Sequence, residues 1–436
     1  MTTPYVELHA HSAFSFLDGA SSPEEMAGTA AEVGLDALAL TDHDGLCGSL
    51  AFAHAAKAVG VRPITGAEIT LADGAHLTLL ARNERGYANL CRLITIAHTN
   101  TRPPPDRRAV PPALDPAELP QHADGLVCLT GCAREGVVPR LIEAGKGAQA
   151  LEAAMRLVDA FGRGNVYVEI QRPRLKGERK LIHALRGLAE KAGLPVVPTG
   201  NVHMHHPRRG PLQDTFVAIR HRLTLGNSEK ERRGNHQAVL RAPEESAALF
   251  ETVAPGCALE SVRLAERLEF DITRDLGYRF PDFAAGRGET ADAMLHRICM
   301  HQLGARYPNA TQRHEARKRL ETELGLVAHH DLAGFFLMHR ELLELAREVA
   351  LDVRPAGSAR RWLPPGRGRG SSVGSIVCYL TGLSHIDPIE SNLFLGRFLN
   401  RDMVSVPDID LDFPRDVRER LIEEVITRYG PDPAAL

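Results

Sequence analysis

The chain has 436 residues, 44% of them hydrophobic and 25% charged, with a formal net charge of −3. That length favours two or three domains, the composition excludes a disordered chain, and the near-neutral balance excludes a wholesale basic surface, so nucleic-acid contact would have to come from local patches. Seven scattered cysteines without a CxxC pair argue against a disulfide framework or zinc knuckle and fit a reducing cytoplasm, and neither a signal-type leader nor an apolar run of membrane-spanning length is present.

Residues 4–9 alternate toward a short strand that leads into His9-Ala10-His11, with Asp18 shortly after. Pro23 to Val33 reads as a helix capped by Ser22, with Glu24 and Glu25 in its first turn and Gly34 at its end. Leu35 to Leu40 is an apolar run of the kind that forms a buried parallel strand, and it ends in Thr41-Asp42-His43-Asp44-Gly45. Ser49 to Val59 is helical, Val61 to Ile64 is apolar, and Gly66-Ala67-Glu68 follows at once. Leu77 to Leu80 reads as a strand and Tyr87 to His98 as a helix. Thr101 to Pro120 holds seven prolines and reads as a loop. A strand at Leu126 to Leu129 precedes Thr130-Gly131-Cys132. Ala148 to Phe161 is helical, Val166 to Ile170 a strand and Lys180 to Ala192 a helix, before Val196-Val197 leads to Asn201 and His203. The recurring order of strand, polar residues and helix predicts a parallel α/β arrangement of six or seven units, with sites at the carboxyl ends of the strands.

From about residue 206 helices dominate: Arg208 to Leu223, Glu244 to Leu249 and Ala258 to Leu268. RFPDF at 279–283 reads as a junction. Thr290 to Gln302, Gln312 to Leu326 and Gly334 to Ala350 are longer helices with apolar spacing of three and four. Then come GRGRGSSVGS at 366–375 and PDIDLDF at 407–413, followed by a helix over Asp416 to Tyr429.

In an extended strand Asp408, Asp410 and Asp412 share one face and repel each other. Divalent metal held by oxygen ligands compensates such repulsion, most often Mg²⁺ where the substrate is a phosphate. An acidic edge strand is the alternative. In the glycine-rich stretch the backbone can approach an anion closely, and Arg367 and Arg369 supply charge for phosphate oxygens. The stretch is not a P-loop, since no Lys-Ser or Lys-Thr closes it. Arg360 and Arg361 join these arginines in the clearest basic patch, which reads either as a nucleic-acid contact or as a solvated loop.

At the other end of the chain, His9 and His11 project the same way from one strand. Asp18, His43, Glu68, His98, Cys132 and His203 fall at later strand or helix ends. Histidine with carboxylate suits Zn²⁺, Mn²⁺ or Fe²⁺. His98 and Cys132, taken singly, are equally well read as core residues.

HAHSAFSFLDGA (9–20), TDHDGL (41–46), GAEI (66–69) and TGNVH (199–203) resemble the successive motifs of the polymerase and histidinol phosphatase domain, called PHP. The resemblance covers about the first 280 residues. It implies a distorted (β/α)7-type barrel holding up to three metals at its strand ends, with His9, His11, Asp18, His43, Glu68, His98, Cys132 and His203 as ligands. Asn201 departs from the aspartate usual in that family, and a neutral amide is the weaker ligand.

GRGSSVGS (368–375), GRFLN (396–400) and SVPDIDLDF (405–413) are similar to the palm of C-family bacterial DNA polymerases, the alpha subunit of DNA polymerase III and its error-prone relatives. With the PHP motifs in front, the resemblance spans the whole chain. It implies an α/β PHP domain over 1–280 and a helix-rich α+β partial palm domain over 281–436, ending before the family's third catalytic aspartate. Asp408 and Asp410 are then the implied catalytic Mg²⁺ ligands and Asp412 their support. Gly370, Ser371, Ser375 and Arg397 would face the incoming nucleotide. The implied chemistry is two-metal phosphoryl transfer from a deoxynucleoside triphosphate to a primer 3′ end on template DNA. The chain alone is expected not to extend a primer, and a sliding clamp and other replisome subunits are implied partners of regions outside these residues. LDGAS and VCYLTG lean toward the error-prone branch, which serves DNA repair and translesion synthesis, without separating the two. Two further readings stand beside this one: a metal-dependent phosphoesterase, acting as 3′-5′ exonuclease or pyrophosphatase, and a structural metal-binding module.

Overall fold

A computed structural model describes residues 4–99, 101, 110–276, 288–363, 365–403 and 407–429. The chain divides into two compact units, Met1–Gly277 and Tyr278–Leu436. RFPDF at 279–283 lies outside the described residues, as does most of the proline-rich stretch ahead of residue 110.

The first unit is built on six strands in sequential order: β1 (Ala37–Leu40), β2 (Arg62–Thr70), β3 (His76–Ala81), β4 (Leu126–Leu129), β5 (Val166–Gln171) and β6 (Val196–Thr199). Helices α1 (Pro23–Glu32), α2 (Ser49–Ala58), α3 (Glu84–Thr99), α4 (Val137–Glu143), α5 (Gly147–Phe161) and α6 (Glu178–Ala192) connect or flank them. Local chemistry fixes their ends. Ser22 and Glu25 form a reciprocal capping box at the start of α1, with Pro23 at its first turn, and the helix buries Met26, Ala27 and Ala30. α6 ends at Gly193 in the left-handed region, φ 63°, and buries Leu181, Ile182, Leu185 and Leu188 along one stripe. Each such side chain contributes about 1.5–3 kcal/mol of burial free energy.

The expected all-parallel order fails at β3. It runs antiparallel to both β2 and β4, while β1–β2, β4–β5 and β5–β6 are parallel. The turn over residues 71–75, closed by a Leu71 to Ala75 bond and a left-handed Gly74, is far too short for a crossover. Glu68 therefore sits inside β2 rather than beyond a strand end.

Residues 4–9, expected to form a strand, make only isolated bridges, but these reach both edges of the sheet. Glu7 bridges Leu38 of β1 and Ala10 bridges Val202 just past β6. Ala39 and Thr41 donate to the carbonyls of Glu7 and Ala10, and Val202 exchanges bonds with His9 and His11. The opening segment thus closes the sheet into a ring.

Helices α7 (Gly210–Arg220), α8 (Pro243–Glu251) and α9 (Cys257–Glu266) follow. Leu264, Ala265 and Leu268, from α9 and the turn after it, pack with Leu8, Ala39, Ile64, Leu129 and Val197 inside the ring. The Arg62 guanidinium, at the start of β2, donates to the Ala265 and Leu268 carbonyls. α9 thereby covers the end where the mutually parallel strands begin, and the polar residues gather at the other end.

In the second unit α10 (Ala291–Arg306), α11 (Ala310–His329) and α12 (Ala333–Val353) precede strand β7 (Arg367–Arg369), helix α13 (Ile376–Thr381), strand β8 (Asp410–Asp412) and helix α14 (Arg415–Tyr429). Its core joins Leu295, Cys299, Phe336, Ile376, Leu383 and Ile409. β7 and β8 pair antiparallel, Arg369 opposite Asp410 and Arg367 opposite Asp412. Among the described residues, no helix is long and apolar enough to cross a membrane.

Candidate metal centre and acidic strand

At the open end of the ring, His9, His11, His43, His76 and His203 converge with Glu68. Donor atoms lie close enough to hold an ion in three groups: His9, His11 and Glu68; His43, Glu68 and His76; and His11, His43 and His203. Hydrogen bonds orient the rings. His9 Nδ1 lies 2.7 Å from Glu169 Oε1. His11 Nδ1 lies 3.1 Å from Ser15 Oγ, whose own proton goes to Asp42. His203 Nδ1 donates to the Asn201 carbonyl at 2.8 Å. Each Nδ1 thus carries the proton and each Nε2 turns its lone pair inward, the tautomer a metal ligand needs.

The donor set fits a metal on this structure's own geometry. The Nε2 atoms of His9 and His11 face each other at 3.0 Å, with Glu68 Oε2 at 3.6 and 3.3 Å from them. Among the described residues, Glu68 Oε1 and His76 Nδ1 are buried without a hydrogen-bond partner, although only 3.3 Å apart. Lone pairs aimed at each other in a dry site repel unless a cation or proton lies between them. Burial opposes charge on His9, but Glu169 and Glu68 outweigh it and raise its pKa to about 10. Burial, with His203 and His43 nearby, holds His11 well below the usual range. Despite burial, His43 and His9 hold the Glu68 carboxyl well below the carboxylate range.

Asp18 meets His43 Nε2 at 3.3 Å and His203 Nε2 at 3.4 Å, but also Arg233, which contacts both of its oxygens at 3.3 Å. Cys132 is buried beside the cluster, where burial and then Glu68 push its thiol up, and its Sγ accepts from the Glu135 amide. It joins none of the three donor groups. Asn201 sits at φ 45° with its Oδ1 buried and without a hydrogen-bond partner among the described residues. His98 corrects the expected ligand set. It lies at the exposed end of α3, and its Nε2 donates to the Asp44 carbonyl at 2.8 Å instead of entering the cluster. A cavity of about 310 Å³ adjoins Asn201 and Arg233 and is also lined by Arg134, Lys176, Lys230 and Arg232.

In the second unit Asp408, Asp410 and Asp412 are exposed while Pro407 and Ile409 are buried, so the three carboxylates share one face. Only Asp410–Asp412 is ladder-paired strand. Arg369 reaches across from β7, 3.2 Å from Asp412 and 3.8 Å from Asp410. Gly370 turns the chain at φ 72°, with Ser371 exposed beside it, and Arg397 is exposed. Ser375 does not face outward as expected. It is fully buried, caps α13 through the Cys378 amide and donates to Glu323 Oε2 at 2.8 Å. Glu323, also buried, takes the Ile376 and Val377 amides as well, so an internal carboxylate already fills this helix N-terminus.

Residues 7–173 match the PHP domain, and residues 293–436 match the bacterial DNA polymerase III alpha NTPase domain. Over 99% of its length the chain is 36% identical to an error-prone DNA polymerase of Symbiobacterium thermophilum, and over 98% it is 32% identical to a DNA polymerase III subunit alpha of Treponema pallidum. The chain belongs to the bacterial DNA polymerase III alpha family. It spans 39% and 36% of the length of those two relatives. Among solved structures, a two-domain protein of Bacteroides vulgatus containing a predicted PHP-like metal-dependent phosphoesterase aligns with 51% of the chain and 57% of its own, at 17% identity and a TM-score of 0.29.

Three members of the PHP cluster escaped the sequence reading. His76 opens β3, and its place in a hairpin partner of β2 sets it against Glu68. Glu169, mid-strand in β5, was masked by an apolar run, yet a carboxylate inside a buried strand is itself the signal. Arg233 lies in a polar loop with no motif around it.

Proposed function

We propose that the chain supplies the PHP and palm regions of a DNA-directed DNA polymerase. In this reading Asp408 and Asp410 hold Mg²⁺, Asp412 supports them, and Gly370, Ser371 and Arg397 meet the incoming triphosphate. The observation that supports it is the one-sided row of exposed carboxylates on β8, set against Arg369 and the left-handed turn at Gly370. Bound Mg²⁺ supplies Lewis acidity for phosphoryl transfer. The chain's own part is to converge the carboxylates on one face and to offer phosphate oxygens the planar guanidinium of Arg369. Primer–template DNA and deoxynucleoside triphosphates are the substrates assigned. The test is Mg²⁺-dependent binding of a deoxynucleoside triphosphate, measured by calorimetry. Asp410→Asn is expected to weaken it roughly 10-fold or more; equal binding by this variant, or in chelator, overturns the assignment.

A second reading, metal-dependent phosphoester hydrolysis at the PHP cluster with Zn²⁺ or Mn²⁺, is supported by the imidazole nitrogens gathered around Glu68 and the adjoining basic cavity. Release of nucleotide from a 3′ end, or of phosphate from pyrophosphate, should then disappear in His9→Ala. Equal activity in chelator sinks it. A melting temperature that chelator lowers without any hydrolytic activity assigns the cluster a structural role instead.

A further inference from the structure

The polar cluster of the PHP domain is not one uniform donor set, and the difference lies in how each carboxylate is satisfied. Glu68 is surrounded by imidazoles and keeps one oxygen without a hydrogen-bond partner among the described residues. Asp18 is saturated by nitrogen. Its oxygens meet Arg233, the Gln213 amide at 3.3 Å, and Arg220 at 3.6 Å, besides His43 and His203.

Arg233 also contacts His203 Nε2. Because His203 Nδ1–H donates to the Asn201 carbonyl, Nε2 holds the lone pair, and the guanidinium takes the very electron pair a metal would take. The arginine is not a stray surface group. The residues around it anchor its loop: Arg232 and His236 both bind Asp214 on α7, at 3.2 and 3.0 Å, and Asn235 donates to the Pro173 carbonyl at 2.7 Å. Asn201, whose carbonyl accepts from His203, brings an amide rather than a second negative charge beside Asp18, which the Arg233 and Arg220 guanidinium groups already balance.

We infer that Arg233 is a resident cation that stands in for a metal ion on the Asp18–His203 side, so that metal binding is confined to the side organised by Glu68. The inference rests on the reading of the cluster as a metal centre. Arginine suits the role because its terminal nitrogen Nη2 carries two N–H groups that reach the Asp18 carboxylate and His203 Nε2 together, and because an arginine side chain is a permanent cation.

The test counts ions. The chain is equilibrated with Mn²⁺, desalted and analysed by elemental mass spectrometry, with circular dichroism to confirm folding. Arg233→Gln is expected to bind about one ion per chain more than the unaltered protein, since it frees one carboxylate and one imidazole. A count that is above zero and unchanged by the substitution overturns the inference. Asp18→Asn in the unaltered background gives a second, independent measure: it should leave the count as it was, and loss of an ion overturns the inference equally. A zero count in the unaltered protein speaks instead against the metal centre itself, and Glu68→Gln, expected to lower a non-zero count, checks that reading separately.

Discussion

Replacing Ser375 by alanine separates two roles that a glycine- and serine-rich stretch can play. The hydroxyl accepts from the Cys378 amide as an N-cap and donates to Glu323, whose side chain is fully buried. Losing the cap costs about 1 kcal/mol, and removing a donor from a buried carboxylate costs about 1.5–3 kcal/mol more. The sum, about 2.5–4 kcal/mol, is felt first where the helix starts. Amide hydrogen exchange at Ile376, Val377 and Cys378, followed by mass spectrometry, should therefore accelerate roughly 60- to 1,000-fold. Ser371→Ala, at an exposed position on the same turn, should leave exchange unchanged. The reasoning fails if Ser375→Ala exchanges like the parent while weakening triphosphate binding, for then the hydroxyl serves the nucleotide and not Glu323.

His76→Ala should lower Mn²⁺ affinity of the chain by roughly 10-fold or more, whereas His98→Ala should not change it; the reverse order would restore the set expected from sequence. In chelator, the raised value of His9, about 10, means that its contribution to stability is complete below the ordinary histidine range near 6.5 and is lost as pH rises from there through about 10. The His203 value is lowered to about 4, so its effect lies below that window. The melting temperature of the chelated chain should accordingly fall between about pH 6.5 and 10, and His9→Gln should flatten that fall; a rise refutes the assignment. Gly370→Ala should destabilise by about 1–2 kcal/mol through its left-handed backbone alone, since an added Cβ would lie 3.8 Å from Asp410, an ordinary contact. Gly370→Asn should cost less in the same urea titration.

Helix positions were largely legible in the sequence because amphipathic spacing and caps are local: α10 to α12 lie where three-and-four spacing put them, and Ser22 and Glu25 cap α1. Strand direction was not legible. β3 is buried along its whole length, on both faces, so its periodicity is silent about orientation, and only the five-residue turn before it held the answer. The candidate ligands split on the same line. His9, His11, His43, Glu68 and His203 were found through their motifs, while His76 needed the antiparallel pairing and His98 was drawn in by residue type. Ser375 was misread because its partner, Glu323, stands 52 residues earlier in the chain, beyond the reach of any local pattern.

The closing of the ring by residues 7–10 has a consequence for the order of events during synthesis. Glu7 and Gly200, bonded across 193 residues, are made far apart in time. At ordinary translation rates that gap lasts roughly 10–40 s. Throughout it the opening histidines exist without the last edge of the ring, and the contact that seats them is among the most non-local in the unit, the kind that slows folding. The metal-binding end of the first unit is thus set to be completed late, by residues that arrive only after every strand of the sheet has been synthesised.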